Sequence, residues 1–240
     1  MKPLLILEAG RPIDPLRRHG SFGHWIRVAA GLHGREVRHC QVLDGEALPA
    51  KAADFAGVLI TGSGAMVTER AEWSERSADW LRDAAHAGLP LFGICYGHQL
   101  LAHALGGAVD YNPRGREIDT VPLRLHATAG DDPLFAGLGE CIAAQTTHRQ
   151  SVLSVPAQAQ VLASSEKDDC QAFRWGDSVW GVQFHPEFST HLMRSYILAR
   201  REALPDVGGY RPSVAEDYDL WLRAAAAVSR IVRLGRPGSL

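Results

Sequence analysis

The sequence predicts an α/β fold built around a largely parallel, buried sheet. Three observations lead there. Short apolar runs bounded by glycine and proline recur along the chain, helical patterns alternate with them, and the first such run, 4–7, is apolar at every position. Strands covered by helices on both faces read in this way.

The elements follow in order. Residues 4–7 read as a strand, 22–32 as a helix and 36–43 as a second strand. A further buried strand at 55–61 is ended by Gly62-Ser63-Gly64. Trp73, Ser77, Trp80, Leu81 and Ala84 fall at helical spacing, and Gly88 with Pro90 stops that helix. A short strand at 91–94 runs straight into Cys95, and 97–105 reads as a helix ending at Gly106-Gly107.

The middle of the chain changes character. Residues 118–126 and 141–146 read as strands with no long helix between them, and 161–164, 172–175 and 179–184 continue the β-rich stretch. Gly176-Asp177 is a hairpin signal between the last two. A helical pattern returns at 190–204. Beyond it, Ser213-Val214-Ala215-Glu216 has the form of a capping box, and Val214, Tyr218, Trp221, Ala225, Val228 and Val232 mark one helical face. The expected organisation is one domain over 1–204 and a C-terminal helical extension over 205–240.

Composition narrows the function. The 240 residues are 46% hydrophobic and 22% charged, with a formal net charge of −2. Such a chain buries a sizeable core and has no basic excess for nucleic acid or an anionic membrane. A small polar substrate fits it at least as well as any polymer. The four cysteines, Cys40, Cys95, Cys141 and Cys170, are widely spaced, which suits a reducing compartment. Only four successive apolar residues precede Glu8, too few for a signal peptide or a membrane span, so a cytoplasmic location is expected.

Gly93-Ile94-Cys95-Tyr96-Gly97 has the form of a nucleophile elbow with cysteine at its tip. Small residues two before and two after the nucleophile let neighbouring backbone approach. The following helix sets its positive end beneath the sulfur, where it favours a thiolate. Taken alone, the motif reads as well as a buried structural cysteine between two turn glycines. His185-Pro186-Glu187 changes that balance. Residues two apart in extended chain project to the same side, so Glu187 can orient the His185 imidazole. Gly62-Ser63-Gly64 follows a buried strand and can turn backbone N–H groups toward a developing oxyanion, together with the N–H of Tyr96. It is not a dinucleotide motif, because Val67 stands where the third glycine belongs. No phosphate loop is present and no histidine pair has ligand spacing, so no cofactor and no metal are expected.

The run from Gly93 to Gln99 (GICYGHQ), followed by Gln183 to Phe188 (QFHPEF), resembles the class I glutamine amidotransferases. Stand-alone members similar to the GMP synthase amidotransferase domain are the nearest in pattern. The resemblance covers roughly 1–204. It implies a flavodoxin-like open sheet with helices on both faces, and hydrolysis of a glutamine γ-amide through a γ-glutamyl thioester. It further implies Cys95 as nucleophile, His185 as acid and base, Glu187 as its orienting carboxylate, and the N–H groups of Ser63 and Tyr96 as oxyanion donors. Gly62, Gln99, His148 and Gln150 are the implied substrate-binding positions.

Two departures from the family pattern stand out. The oxyanion loop reads Gly62-Ser63-Gly64, where two glycines and a proline are usual. Thr147-His148-Arg149-Gln150 stands where GMP synthase-type relatives carry His-Gly-Asp. The second departure bears on recognition of the α-amino group. The substrate is therefore glutamine or another γ-glutamyl compound. Three roles stay open: an ammonia-donating subunit for a separate synthetase, a free-standing γ-glutamyl peptidase, and a catalytically silent γ-glutamyl-binding module.

Overall fold

Residues 2–199 are described by the structure, a computed structural model. The predicted 205–240 extension, with its capping box at Ser213, and the end of the predicted 190–204 helix lie outside them.

The first half alternates as expected: β1 (Leu4–Leu7), α1 (Phe22–Ala29), β2 (Val37–Cys40), β3 (Gly57–Ile60), α2 (Glu72–His86), β4 (Leu91–Ile94) and α3 (Tyr96–Ala104). Ser21 caps α1, its hydroxyl accepting the His24 N–H at 3.1 Å. The second half adds β5 (Ala108–Tyr111), β6 (Glu117–Leu125), β7 (Cys141–His148), β8 (Gln150–Ser154), β9 (Ala159–Ser164), β10 (Ala172–Trp175), β11 (Val179–Val182) and α4 (Thr190–Ala199).

Among the described residues nine strands form one sheet in the order β2-β1-β3-β4-β11-β10-β9-β6-β7. The first five are mutually parallel and make the open, flavodoxin-like part; the rest pair antiparallel. β5 and β8 form a separate antiparallel ribbon. Neither was expected. β5 is largely exposed and carries no apolar period, and β8 follows β7 after a single residue with no turn signal between them.

The continuous apolar runs follow from coverage of both sheet faces. Ile6, Leu59, Phe92 and Ile94 pack with Ile26 of α1 and with Leu134 and Phe135 from the β6–β7 connection. Leu5, Leu7, Val58 and Ile60 point the other way, onto Ala78, Leu81 and Ala85 of α2 and Leu100 and Leu101 of α3. Met193, Tyr196 and Ile197 of α4 close a third cluster with Leu16, Phe22, Trp25 and Phe188. Among the described residues no helix is long and apolar enough to cross a membrane.

Candidate active site

The carboxyl ends of β3, β4 and β11 lead into Gly62-Ser63, Cys95 and His185 respectively, along one edge of the sheet. Open α/β sheets place their sites at this edge.

Cys95 is the turn between β4 and α3. Its φ of 52° and ψ of −100° lie outside the ordinary range for a residue with a side chain. The flanking glycines make the turn possible. A Cβ on Gly97 would stand 2.6 Å from the Ile60 carbonyl oxygen, and one on Gly93 would collide with the Gly97 carbonyl. The Cys95 N–H donates to Val182 O at 2.8 Å, so β11 holds the elbow from the side. The buried thiol points to Thr147 O at 3.9 Å.

His185 is brought to Cys95 by a turn rather than by the extended chain that the sequence suggests. β11 stops at Val182, the His185 N–H donates to Gln145 O at 2.8 Å, and the Phe188 N–H returns to His185 O at 3.2 Å. Within that turn His185 Nδ1 and Glu187 Oε1 lie 2.8 Å apart, both side chains buried. Phe188 stacks on the imidazole at 4.2 Å between centroids and is itself backed by Trp25 and Tyr196. The ring therefore has little freedom to rotate.

Burial by itself drives an imidazole toward neutrality. The carboxylate of Glu187 and the sulfur of Cys95 outweigh it, so the pKa of His185 is pushed up to about 10. Its Nε2 is not in hydrogen-bonding geometry with any group among the described residues. A Cβ placed on Gly62 would lie 3.3 Å from His185 Cε1 and 3.8 Å from Cys95 Cβ, so the loop after β3 closes on both groups.

Cys95 faces a pocket lined by Ser63, Tyr96, Gln99, Arg116, Arg149 and Gln150, with Thr147 and His148 beside them. Gln99 Nε2 donates to Gln150 O at 2.7 Å and to Gln183 Oε1 at 2.8 Å. The amide of Gln150 is a latch: its Oε1 accepts the Val67 N–H at 3.0 Å and its Nε2 donates to Thr68 Oγ1 at 2.5 Å. His148 is buried with Nδ1 3.0 Å from Gln150 O and Nε2 3.0 Å from Glu117 Oε2. The Tyr96 phenol turns away to Ser74 Oγ at 2.6 Å, and burial pushes its pKa up to about 12.

Cys95, His185, Glu187 and Gly62 thus come together, while Ser63, Tyr96, Gln99, His148 and Gln150 line the adjoining pocket. The polar ends of His148 and Gln150 are engaged by the protein itself. Sequence reasoning missed Arg116, Glu117 and Asp168. Burial would raise the pKa of Glu117, yet hydrogen bonds from His148, Ser165 and Gln171 hold it below the usual carboxylate value. Burial raises that of Asp168, which accepts from Ser151 Oγ and the Cys170 N–H. Only the β6–β7 register, which sets Glu117 opposite His148, reveals this cluster. His98, a lesser candidate by sequence, is fully buried against Phe173 and the Gly181 backbone, and burial pushes its pKa down to about 3. Among the described residues no three His, Cys, Asp or Glu side chains are grouped as ligands for a metal ion.

The chain is similar to known proteins in sequence and in fold. The family described as glutamine amidotransferase class-I matches residues 19–202. Over 180 residues the chain is 29% identical to GMP synthase (glutamine-hydrolyzing) 1 of Bacteroides thetaiotaomicron, covering 70% of this chain and 33% of that one. It therefore spans about a third of that relative's length. Over 208 residues it is 32% identical to the glutamine amidotransferase-like protein YfeJ of Salmonella typhimurium, covering 82% of this chain and 86% of that protein. The crystal structure of a glutamine amidotransferase from Methylobacillus flagellatus superposes with a TM-score of 0.73 at 23% identity, covering 98% of this chain and 93% of the other. That likeness shows the fold.

Proposed function

The chain belongs to the class-I glutamine amidotransferase family, and on that premise we propose that it hydrolyses a γ-carboxamide through a thioester on Cys95. The observation that carries the reading is the buried His185–Glu187 contact at 2.8 Å beside a cysteine held in a strained elbow. A nucleophile, a base and an orienting carboxylate are the parts that acyl transfer needs.

The reaction starts from thiolate and imidazolium. The Cys95 sulfur bonds to the amide carbon and pushes an electron pair onto the oxygen, where the N–H groups of Ser63 and Tyr96 donate. The C–N bond breaks as the leaving nitrogen takes the proton of His185. Water then gives a proton to His185 and adds to the thioester carbon. Breaking the C–S bond returns the thiolate, releases the acid and leaves His185 protonated for the next turn. Glu187 stabilises the imidazolium through both halves.

Ammonia released in this way can pass to a separate synthetase. The relationship to a GMP synthase of about three times the matched length supports that use. A purified-protein assay of ammonia and acid release from a panel of γ-carboxamides tests the core reading. Turnover that disappears in Cys95→Ala is expected; turnover that survives in it would overturn the role of the cysteine.

A further inference from the structure

Behind the pocket a ring of buried hydrogen bonds closes on the carboxylate of Glu117. This residue opens β6 and stands opposite His148, the last residue of β7. His148 Nε2 lies 3.0 Å from Glu117 Oε2, and His148 Nδ1 lies 3.0 Å from Gln150 O. A carbonyl oxygen only accepts, so Nδ1 carries a hydrogen and donates it there. The same carbonyl accepts from Gln99 Nε2 at 2.7 Å, and that amide also donates to Gln183 Oε1 at 2.8 Å. The Gln183 N–H donates to Gln171 O at 2.8 Å, and Gln171 Nε2 returns to Glu117 Oε2 at 2.5 Å. These side chains are all buried.

Two parts of the site lie on this ring. Gln99, His148 and Gln150 line the pocket beside Cys95. Gln183 follows Val182, whose carbonyl holds the Cys95 N–H, and precedes His185 by two residues. Glu117 is joined to the first part through His148 and to the second through Gln171. Its other oxygen accepts from Ser165 Oγ at 2.7 Å. The carboxylate of Asp168 also faces the imidazole, with Oδ2 3.8 Å from His148 Nδ1. Replacing such a buried cluster by apolar side chains of similar volume is often neutral or stabilising. Filling space therefore does not account for it, whereas hydrogen bonds of fixed direction hold one geometry.

We propose that Glu117 is a positioning residue for the hydrolysis, fixing the pocket wall through His148 and the approach to His185 through Gln171. The proposal rests on the amidohydrolase reading above and adds a residue that acts on that site without touching the reacting atoms. Its two arms have different kinetic signatures. Displacing the wall weakens substrate binding, while displacing the approach to the base slows proton transfer in the bound complex.

Steady-state kinetics of the full-length protein separate the arms, with glutamine and γ-glutamyl-p-nitroanilide as probes and a temperature well below each variant's melting transition. Glu117→Gln leaves one acceptor oxygen where His148, Ser165 and Gln171 converge. Its kcat should fall by on the order of tenfold and its KM rise by about fivefold. His148→Asn should act mainly on KM, and Gln171→Met mainly on kcat. A residue that serves stability alone would lower the melting temperature and leave both constants within about twofold, and that result in Glu117→Gln would overturn the proposal. If Glu117→Gln does not fold, the other two variants decide, because both retain the carboxylate; the same balance of kcat and KM effects in each would overturn the two-armed role. A parent protein inert toward both probes would overturn the hydrolytic reading and this role with it, a failure visible before any variant is made.

Discussion

Gly62 and His185 are packed so closely that a methyl group on the glycine would stand 3.3 Å from Cε1 of the imidazole. The same methyl would meet Cys95 Cβ at 3.8 Å. One missing side chain thus lets loop, nucleophile and base share a single point of contact. In Gly62→Ala the ring has to shift by a few tenths of an ångström, and it is backed by Phe188. We expect kcat/KM to fall by roughly a hundredfold, with thermal stability close to that of the parent. Unchanged kinetics in that variant would show the ring to be less confined than the packing indicates.

The protonation of His185 makes stability depend on pH in a stated direction. Its pKa is about 10 in the folded protein against 6.5 for an imidazole surrounded by water, so the folded state binds the proton more tightly than the unfolded chain. The resulting stabilisation is complete below about pH 6.5 and is lost as pH rises through 10. Glu187→Gln removes the larger of the two raising charges. Melting temperatures between these limits should decline less steeply in the variant, and its kcat should drop by roughly 10²-fold or more. Parallel stability curves would assign the pH dependence to some other group.

At the elbow, Gly97→Ala sets a Cβ 2.6 Å from Ile60 O and 2.8 Å from Ile60 Cβ, and backbone rather than a flexible side-chain end has to move. A loss of about 1–3 kcal/mol is expected from overpacking of this kind, read as a lower urea midpoint. A variant as stable as the parent would mean that α3 can slide off β3 without penalty.

The Gln150 latch predicts a local effect. Gln150→Ala removes both side-chain bonds to the 67–68 loop and leaves the buried Val67 N–H without its acceptor. Amide hydrogen exchange at Val67 should quicken, and kcat should fall by roughly tenfold as the loop carrying Ser63 loosens. Protection that persists in the variant would show the loop to be held from elsewhere.

Much of this arrangement is legible in the sequence, and the exceptions share a cause. The strand entering Cys95 is Leu91–Ile94 as expected, because four apolar residues between Pro90 and an elbow leave little choice. The meeting of His185 with Glu187 is legible too, but not its route, since the turn closed by Phe188 N–H has no separate signature from an extended His-Pro-Glu run. β5 escapes notice because an exposed ribbon lacks apolar alternation. The Glu117–His148 contact spans 31 residues and exists only through strand register, which spacing along the chain does not encode.

β4 and β11 are neighbours, with Val179 opposite Leu91, although 84 residues of the chain lie between them. A growing polypeptide therefore exposes its thiol well before the imidazole has been synthesised. Because the Cys95 N–H is also anchored to Val182 O, the elbow itself is completed by the same late pairing. Contacts so distant along the chain form slowly, and larger domains commonly pass through collapsed intermediates first. The proposed hydrolysis therefore requires β11 to be in place, and the onset of turnover during refolding is expected to report the insertion of that one strand.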